Sequence, residues 1–240
     1  MFVKKPSVLE AIIPQAENIN LYRFRFQDGS ILDFTPGMFA MLYYKDPQTG
    51  EEIGRAYSIA SEPGNSYVEF LIELVHGKLT SKLEQAKVGD TYYISAPYGA
   101  FKFDASKGKY LFLAGGTGLA PFLSMIKYAI KNKLSADISM IYSVKYPSYI
   151  LAKDQLESFK NLEAPKVKTT ITITRPQPND NWQGPTGHIN EEMVSKYVPD
   201  FKERICYICG PLNFVKAMKE LMASMGVEEA NIKTEMWGEG

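Results

Sequence analysis

Cysteine and histidine, the residues that most often announce catalysis or metal binding, are almost missing from this 240-residue sequence, which has two of each. Excess charge is missing too, because 27 lysines and arginines offset 27 aspartates and glutamates. A zero net charge removes the electrostatic footprint of a nucleic-acid binder or of a protein drawn to an anionic membrane, so neither is an expected partner. No apolar run is long enough to cross a bilayer; the longest, near residue 115, is broken by glycines. Residues 1–10 carry lysines but no apolar core, so no secretion signal is expected and a cytoplasmic location is. His76 and His188 have no partners at ligand spacing, so neither is expected to bind metal or act as a base, and no metal site is expected. Internal repeats, low-complexity tracts and a spaced Ser/His/Asp set are absent as well.

The two cysteines do form a C-x-x-C, within Arg204-Ile205-Cys206-Tyr207-Ile208-Cys209. That segment reads as a buried strand. Three residues apart on a strand, side chains point to opposite faces and the Cα atoms lie roughly 10 Å apart. A disulfide needs less than about 7 Å. A dithiol is therefore not expected, and an iron–sulfur cluster would need four ligands.

What is present is an ordinary globular composition, 45% hydrophobic and 22% charged, in a chain long enough for two modest domains. Residues 1–104 are β-rich. Apolar, β-branched and aromatic clusters at 8–13, 21–26, 39–44, 56–60, 67–74 and 91–94 are separated by turn signals such as Asp28-Gly29, Pro36-Gly37 and Gly89-Asp90. Six short strands of this kind predict a small antiparallel barrel, with one helix over 78–85. After a polar join at 104–109 the pattern changes. Residues 109–240 alternate strands (110–114, 138–144, 167–174, 205–209, 232–235) with helices (119–131, 151–161, 191–197, 214–225). Such alternation predicts an α/β domain with a parallel sheet.

One stretch organises the chain. Lys109-Tyr110-Leu111-Phe112-Leu113-Ala114 is a buried-strand pattern, and Gly115, Gly116, Thr117 and Gly118 follow at once. An apolar-periodic helix then begins, with Pro121 in its first turn, where a missing N–H costs nothing. Strand, glycine turn and helix start together make a phosphate cradle, since glycine admits close approach and a helix start offers free N–H groups. A glycine-rich turn without a ligand is the simpler alternative. Two features depart from the usual dinucleotide fingerprint. Proline stands at the third glycine position, and about twenty residues on there is Tyr142-Ser143-Val144-Lys145 rather than an acidic residue.

Other segments carry candidate chemistry. In an extended Arg55-Ala56-Tyr57-Ser58, Arg55 and Tyr57 share a face and Ser58 takes the other. Arginine suits phosphate, tyrosine suits an aromatic ring, and serine suits a directed hydrogen bond; an ordinary edge strand is the plainer reading. Gly77-Lys78-Leu79-Thr80 offers either a second anion site or simple helix capping by Thr80 or Ser81. Pro97-Tyr98-Gly99-Ala100-Phe101 reads as a tight turn. Cys209-Gly210-Pro211 closes a strand and opens a helix, which sets Cys209 beside whatever the glycine turn holds, or leaves it a buried structural thiol. Glu235-Met236-Trp237 follows the last strand, with Trp237 either capping a flat ring or filling a core.

Taken in order, these segments, together with Phe34-Thr35-Pro36-Gly37-Met38-Phe39, resemble the ferredoxin–NADP reductase superfamily of flavoprotein reductases, over essentially the whole chain. Met38 stands where glutamine is common in that family. The resemblance implies a stand-alone reductase with an FAD-binding barrel at 1–104 and an NAD(P)-binding domain at 109–240. It implies that Arg55 pairs with the FAD pyrophosphate, Tyr57 packs on the flavin and Ser58 bonds near flavin N5. Gly77, Lys78, Leu79 and Thr80 would add pyrophosphate donors. Gly115, Gly116, Thr117, Gly118 and Pro121 would hold the NAD(P)H pyrophosphate, with Cys209, Gly210 and Pro211 beside the nicotinamide and Glu235 near the reacting centre. Trp237 would cover the flavin until nicotinamide displaces it, and residues 238–240 extend past it. Ser58, Cys209 and Glu235 are thus the implied catalytic set.

The implied reaction is hydride transfer from NAD(P)H to FAD, followed by single-electron transfer to a ferredoxin, flavodoxin or oxygenase component. The cofactors carry the chemistry, and the protein holds the reacting atoms at roughly 3–3.5 Å. Lys145 and Arg175 follow successive strands and suit a 2′-phosphate, which leans the reading to NADPH, or they are solvated surface charges. Two other functions fit the same sequence: an NAD(P)H:flavin reductase using free flavin as substrate, and an electron-transfer subunit of a larger complex.

Overall fold

The computed structural model describes residues 3–237, and these residues form eleven strands and five α-helices. They fall into two compact units, 3–103 with Ala120–Tyr128, and Asp104–Leu119 with 129–237.

The first unit contains six antiparallel strands: β1 (Lys5–Ala16), β2 (Ile19–Phe26), β3 (Phe39–Lys45), β4 (Glu52–Ser58), β5 (Tyr67–Glu73) and β6 (Thr91–Tyr98). Their order is β4-β3-β6-β1-β2-β5. The two edge strands meet through an Ile59–Phe70 bridge and a bond from Ala60 N–H to the Glu69 carbonyl, 2.8 Å. That closure removes the unpaired edges an open sheet would expose. Inside lie Leu9, Phe24, Leu42, Ile59, Phe70 and Ile94, all essentially inaccessible. Helix α1 (Lys78–Glu84) packs against β3 and β4, burying Leu79 and Leu83.

Two expectations here need correction. Strand β4 spans 52–58 rather than 56–60, because Gly54 pairs with Tyr43 and leaves room for its ring; a Cβ at Gly54 would come within 2.5 Å of it. Strand β6 runs through Pro97 and Tyr98, so the turn begins only at Gly99. Pro97 is tolerated because the β3–β6 register shifts between Phe39 and Met41, and a proline without an N–H fits such an irregularity.

The second unit holds a five-stranded parallel sheet of β7 (Lys109–Gly115), β8 (Asp137–Val144), β9 (Lys166–Ile173), β10 (Ile205–Pro211) and β11 (Ile232–Trp237), ordered β11-β10-β7-β8-β9. Strands β7, β8 and β10 are buried along nearly their whole length, as apolar runs without alternation predict, while the edge strands β9 and β11 are partly exposed. Helices α3 (Lys153–Phe159), α4 (Glu191–Tyr197) and α5 (Leu212–Ser224) belong to this unit. Helix α2 (Ala120–Lys131) starts directly from a 3₁₀ turn at Gly116–Leu119. Helix α3 is shorter than the 151–161 expected, because Ala152 takes a left-handed conformation, φ 50°, just ahead of it. Among the described residues, no helix is long and apolar enough to cross a membrane.

Candidate functional site

The strand order reverses between β7 and β10: the chain moves outward from β7 through β8 to β9, then returns to the other side of β7. In open α/β sheets, ligands bind outside the carboxyl ends of strands at such a switch point. Here the first strand of the pair ends in Gly115 and the second in Cys209-Gly210-Pro211.

Glycine is needed at this point for space. A Cβ on Gly118 would lie 2.2 Å from the Cys209 carbonyl oxygen, so the turn runs in backbone contact with the end of β10. Gly116 has φ +55° and nothing within 4 Å of its missing Cβ, so the turn is open on that side. Gly115 and Gly210 make room for the Phe214 ring, which a Cβ would meet at 3.0 and 2.7 Å. Phe214 was invisible in the sequence because its contacts come from helix α5 folding back over two glycine-ended strands.

Beside the turn, Cys209 pairs in register with Glu235, and its Sγ lies 3.9 Å from Glu235 Oε2. Burial, reinforced by the neighbouring carboxylate, pushes the Cys209 thiol well above its ordinary range, so it is a neutral S–H at neutral pH. Pro211 pairs with Trp237, which is half-buried at the end of β11. Cys206, on the opposite face, is packed among apolar residues, and both thiols are free. Residues 238–240 lie outside the described residues.

Lys145 and Arg175 are also brought together. Arg175 N–H donates to the Lys145 carbonyl at 2.9 Å, just past the ends of β8 and β9. Both side chains are exposed and neither has an acidic partner among the described residues.

In the first unit, Arg55, Tyr57 and Ser58 lie on edge strand β4 beside helix α1. Arg55 is exposed and donates to the Gly54 carbonyl at 2.8 Å, with no carboxylate partner among the described residues. Tyr57 packs against Phe70, and burial raises its hydroxyl to about 12 despite the opposing pull of Arg55. Ser58 pairs with Phe39 on the other face. At the start of α1, Gly77 N–H donates to Thr80 Oγ1 at 2.8 Å, and Thr80 donates to the Gly77 carbonyl at 3.2 Å. The Thr80 hydroxyl is thus spent on the turn. The backbone of Lys78 and Leu79 supplies the N–H groups that a helix start leaves without intrahelical partners. His76 pairs with Glu84 at 3.1 Å, and no group of three metal-ligating side chains occurs among the described residues.

The donor set suits two extended anions. An unpaired arginine with backbone N–H groups lies in one unit. A glycine turn that tolerates no Cβ toward its own sheet, with two unpaired cations farther along the strand ends, lies in the other.

Residues 7–103 match the oxidoreductase FAD-binding domain family, and residues 112–220 match the oxidoreductase NAD-binding domain family. The glycine betaine monooxygenase reductase subunit of Chromohalobacter salexigens is 28% identical over 233 residues, covering 95% of this chain and 62% of that protein. The 2-halobenzoate 1,2-dioxygenase electron transfer component of Burkholderia cepacia is 33% identical over 208 residues, 85% of this chain and 58% of that protein. This chain therefore spans about 60% of the length of these curated relatives. Among solved structures, the cytochrome b5 reductase domain of Ulva prolifera nitrate reductase superposes with a TM-score of 0.84 at 24% identity, covering 97% of both chains, which establishes a shared fold.

Proposed function

Because the chain belongs to the ferredoxin–NADP reductase superfamily of flavoprotein oxidoreductases, we propose that it takes hydride from NAD(P)H onto FAD and passes electrons singly to a protein acceptor. The proposed domains are 1–104 for FAD and 109–240 for the nicotinamide nucleotide. The observation that carries the reading is the glycine turn at the sheet's switch point, whose backbone lies so close to β10 that Gly118 admits no side chain.

When bound, FAD supplies the hydride-accepting ring and the ability to release electrons one at a time. The chain's own residues bind, orient and shield. Arg55 holds the FAD pyrophosphate, helped by backbone N–H groups at Lys78, Leu79 and Thr80, whereas the Gly77 N–H, expected among these donors, is spent on the Thr80 hydroxyl. Tyr57 offers a half-buried ring that stays protonated at neutral pH, and Ser58 a hydroxyl for the flavin's reactive edge. Gly115, Gly116, Thr117, Gly118 and Pro121 hold the second pyrophosphate. Cys209 presents a neutral, uncharged surface with Gly210 and Pro211, and Glu235 stands next to it near the reacting centre. Trp237 covers the ring face. Lys145 and Arg175 receive a 2′-phosphate, making NADPH the preferred donor.

The acceptor in this reading is an oxygenase component or a small ferredoxin- or flavodoxin-like protein, in a cytoplasmic setting. Support comes from relatives whose names are those of reductase and electron-transfer parts of oxygenases. The site itself is tested by Arg55→Ala: the purified variant should come out depleted of flavin with its fold intact by circular dichroism. Full flavin retention would remove Arg55 from the site.

A further inference from the structure

Within the first unit, strand β4 lets go of β3 at Ser58, whose pairing with Phe39 ends that ladder. The next three residues, Ile59, Ala60 and Ser61, are inaccessible. Ile59 N–H donates to the Met38 carbonyl at 3.1 Å, and the residue bridges to Phe70 on β5. Ala60 N–H donates to the Glu69 carbonyl at 2.8 Å, and Glu69 N–H donates to the Ser61 hydroxyl at 3.2 Å. The carbonyls of Ala60 and Ser61 accept from Lys127 at 3.3 Å and from Ser124 at 2.7 Å, both in the 120–128 stretch that belongs to the same unit.

Glu69 meets this segment with its backbone and again with its side chain. The carboxylate is 4% exposed; Oε1 accepts from Arg23 Nη2 at 2.7 Å and Nε at 3.0 Å. Oε2 accepts at 3.1 Å from Lys127, the ammonium that also reaches the Ala60 carbonyl. Phe70, the next residue along β5, packs against the Tyr57 ring with 6.2 Å between centroids. The pair Glu69-Phe70 thus borders Tyr57 on one side and the exit from Ser58 on the other.

Stability is a poor account of the charges. Desolvating a carboxylate and two cations offsets most of what they gain from one another, and apolar side chains of equal volume often do as well. What the set adds is direction. Once the β3 ladder has ended, the course of the chain after Ser58 is set by Glu69 through its N–H, its carbonyl and its carboxylate. A group that contacts a ligand needs supports that hold it to about 0.5 Å, and a shift of Ile59–Ser61 along β5 passes to Ser58 through the backbone.

Resting on the FAD site proposed above, we propose that Glu69 is a positioning residue for the flavin. Through Ala60, Ser61 and Phe70 it sets where the Tyr57 ring and the Ser58 hydroxyl meet the ring system.

The test is titration of flavin-free protein with FAD, reading the dissociation constant, the fluorescence of the fully bound flavin, and the urea midpoint. An aromatic ring stacked on a flavin quenches its emission, so that emission reports how Tyr57 is held. Glu69→Gln keeps the shape and the backbone bonds and removes the charge. It should weaken FAD binding roughly tenfold and raise the emission of the bound flavin severalfold. Ser61→Ala should show a smaller change of the same kind. It removes one hydrogen bond and no charge, so it carries the test should Glu69→Gln fail to fold. Unaltered affinity and emission in the folded variants overturn this inference alone. So does an affinity that falls only in step with the urea midpoint while the emission of the bound flavin stays unaltered. No FAD binding by the unaltered chain overturns the proposed function and this inference with it.

Discussion

At the edge of the parallel sheet where β7, β8 and β10 begin, charge is concentrated and internally matched; at the edge where they finish, the chain offers mostly backbone. The first edge is organised by Arg204, whose side chain is 5% exposed. It makes a two-pronged pair with Asp200 at 2.7 and 3.0 Å, reaches Asp137 Oδ1 at 3.0 Å, and donates to the carbonyls of Tyr110 and Asp137. Lys109 adds contacts to Asp200 and Glu203. The opposite edge has the glycine turn, a neutral thiol and two exposed cations without acidic partners among the described residues. Charges matched within the fold have little left for a ligand, whereas unpaired cations and bare N–H groups have their full capacity in hand. The difference separates the end that holds the sheet together from the end proposed to bind the nucleotide.

The sharpest way to break this contrast is Gly118→Ala. The new Cβ would meet backbone on β10 at 2.2 Å, and neither strand end can yield. Reduction of the flavin by nicotinamide nucleotide should fall on the order of 100-fold or more, while flavin content stays unchanged in the absorbance spectrum.

Arg204→Met should do the reverse. Losing one partner of a buried charge set costs about 3 kcal/mol, read as a shift in the urea midpoint, with nucleotide reduction intact in the folded protein. Hydrogen bonding to Arg204 holds the Asp200 carboxyl below its ordinary 3.8. A lowered carboxyl stabilises the fold above its ordinary value and loses that contribution as pH falls through the lowered one. The stability gap between unaltered and Arg204→Met protein should therefore narrow below pH 3.8.

The smallest effect belongs to the exposed pair. Replacing Lys145 and Arg175 together by alanine should lower the preference for NADPH over NADH by about tenfold, or roughly 1.4 kcal/mol, in the ratio of kcat/KM values. An unchanged ratio would return both to the solvated surface.

Much of this was legible along the chain. Six apolar clusters with turn signals foretold the barrel, and the alternation of strands and helices over 109–240 foretold the parallel sheet, because those features are written in neighbouring residues. The misses share a cause. Gly54 and Pro97 look like strand breakers until Tyr43 and the register shift between Phe39 and Met41 are placed opposite them. Thr80 has a hydroxyl equally suited to an anion or to its own turn, and in the folded chain it closes the turn. The Phe214 ring depends on Gly115 and Gly210, brought together from distant parts of the sequence. Local pattern carries elements and motifs, while the contacts that orient them are written in pairs that no window contains.

The central claim is that this chain retains a flavin and reduces it with a nicotinamide nucleotide. The most direct measurement is the absorbance spectrum of purified, desalted protein, followed by anaerobic titration with NADPH and then NADH. A retained flavin band that bleaches with nucleotide, at lower concentration with NADPH, is the predicted result. A colourless protein that consumes nucleotide only when free flavin is added would contradict it.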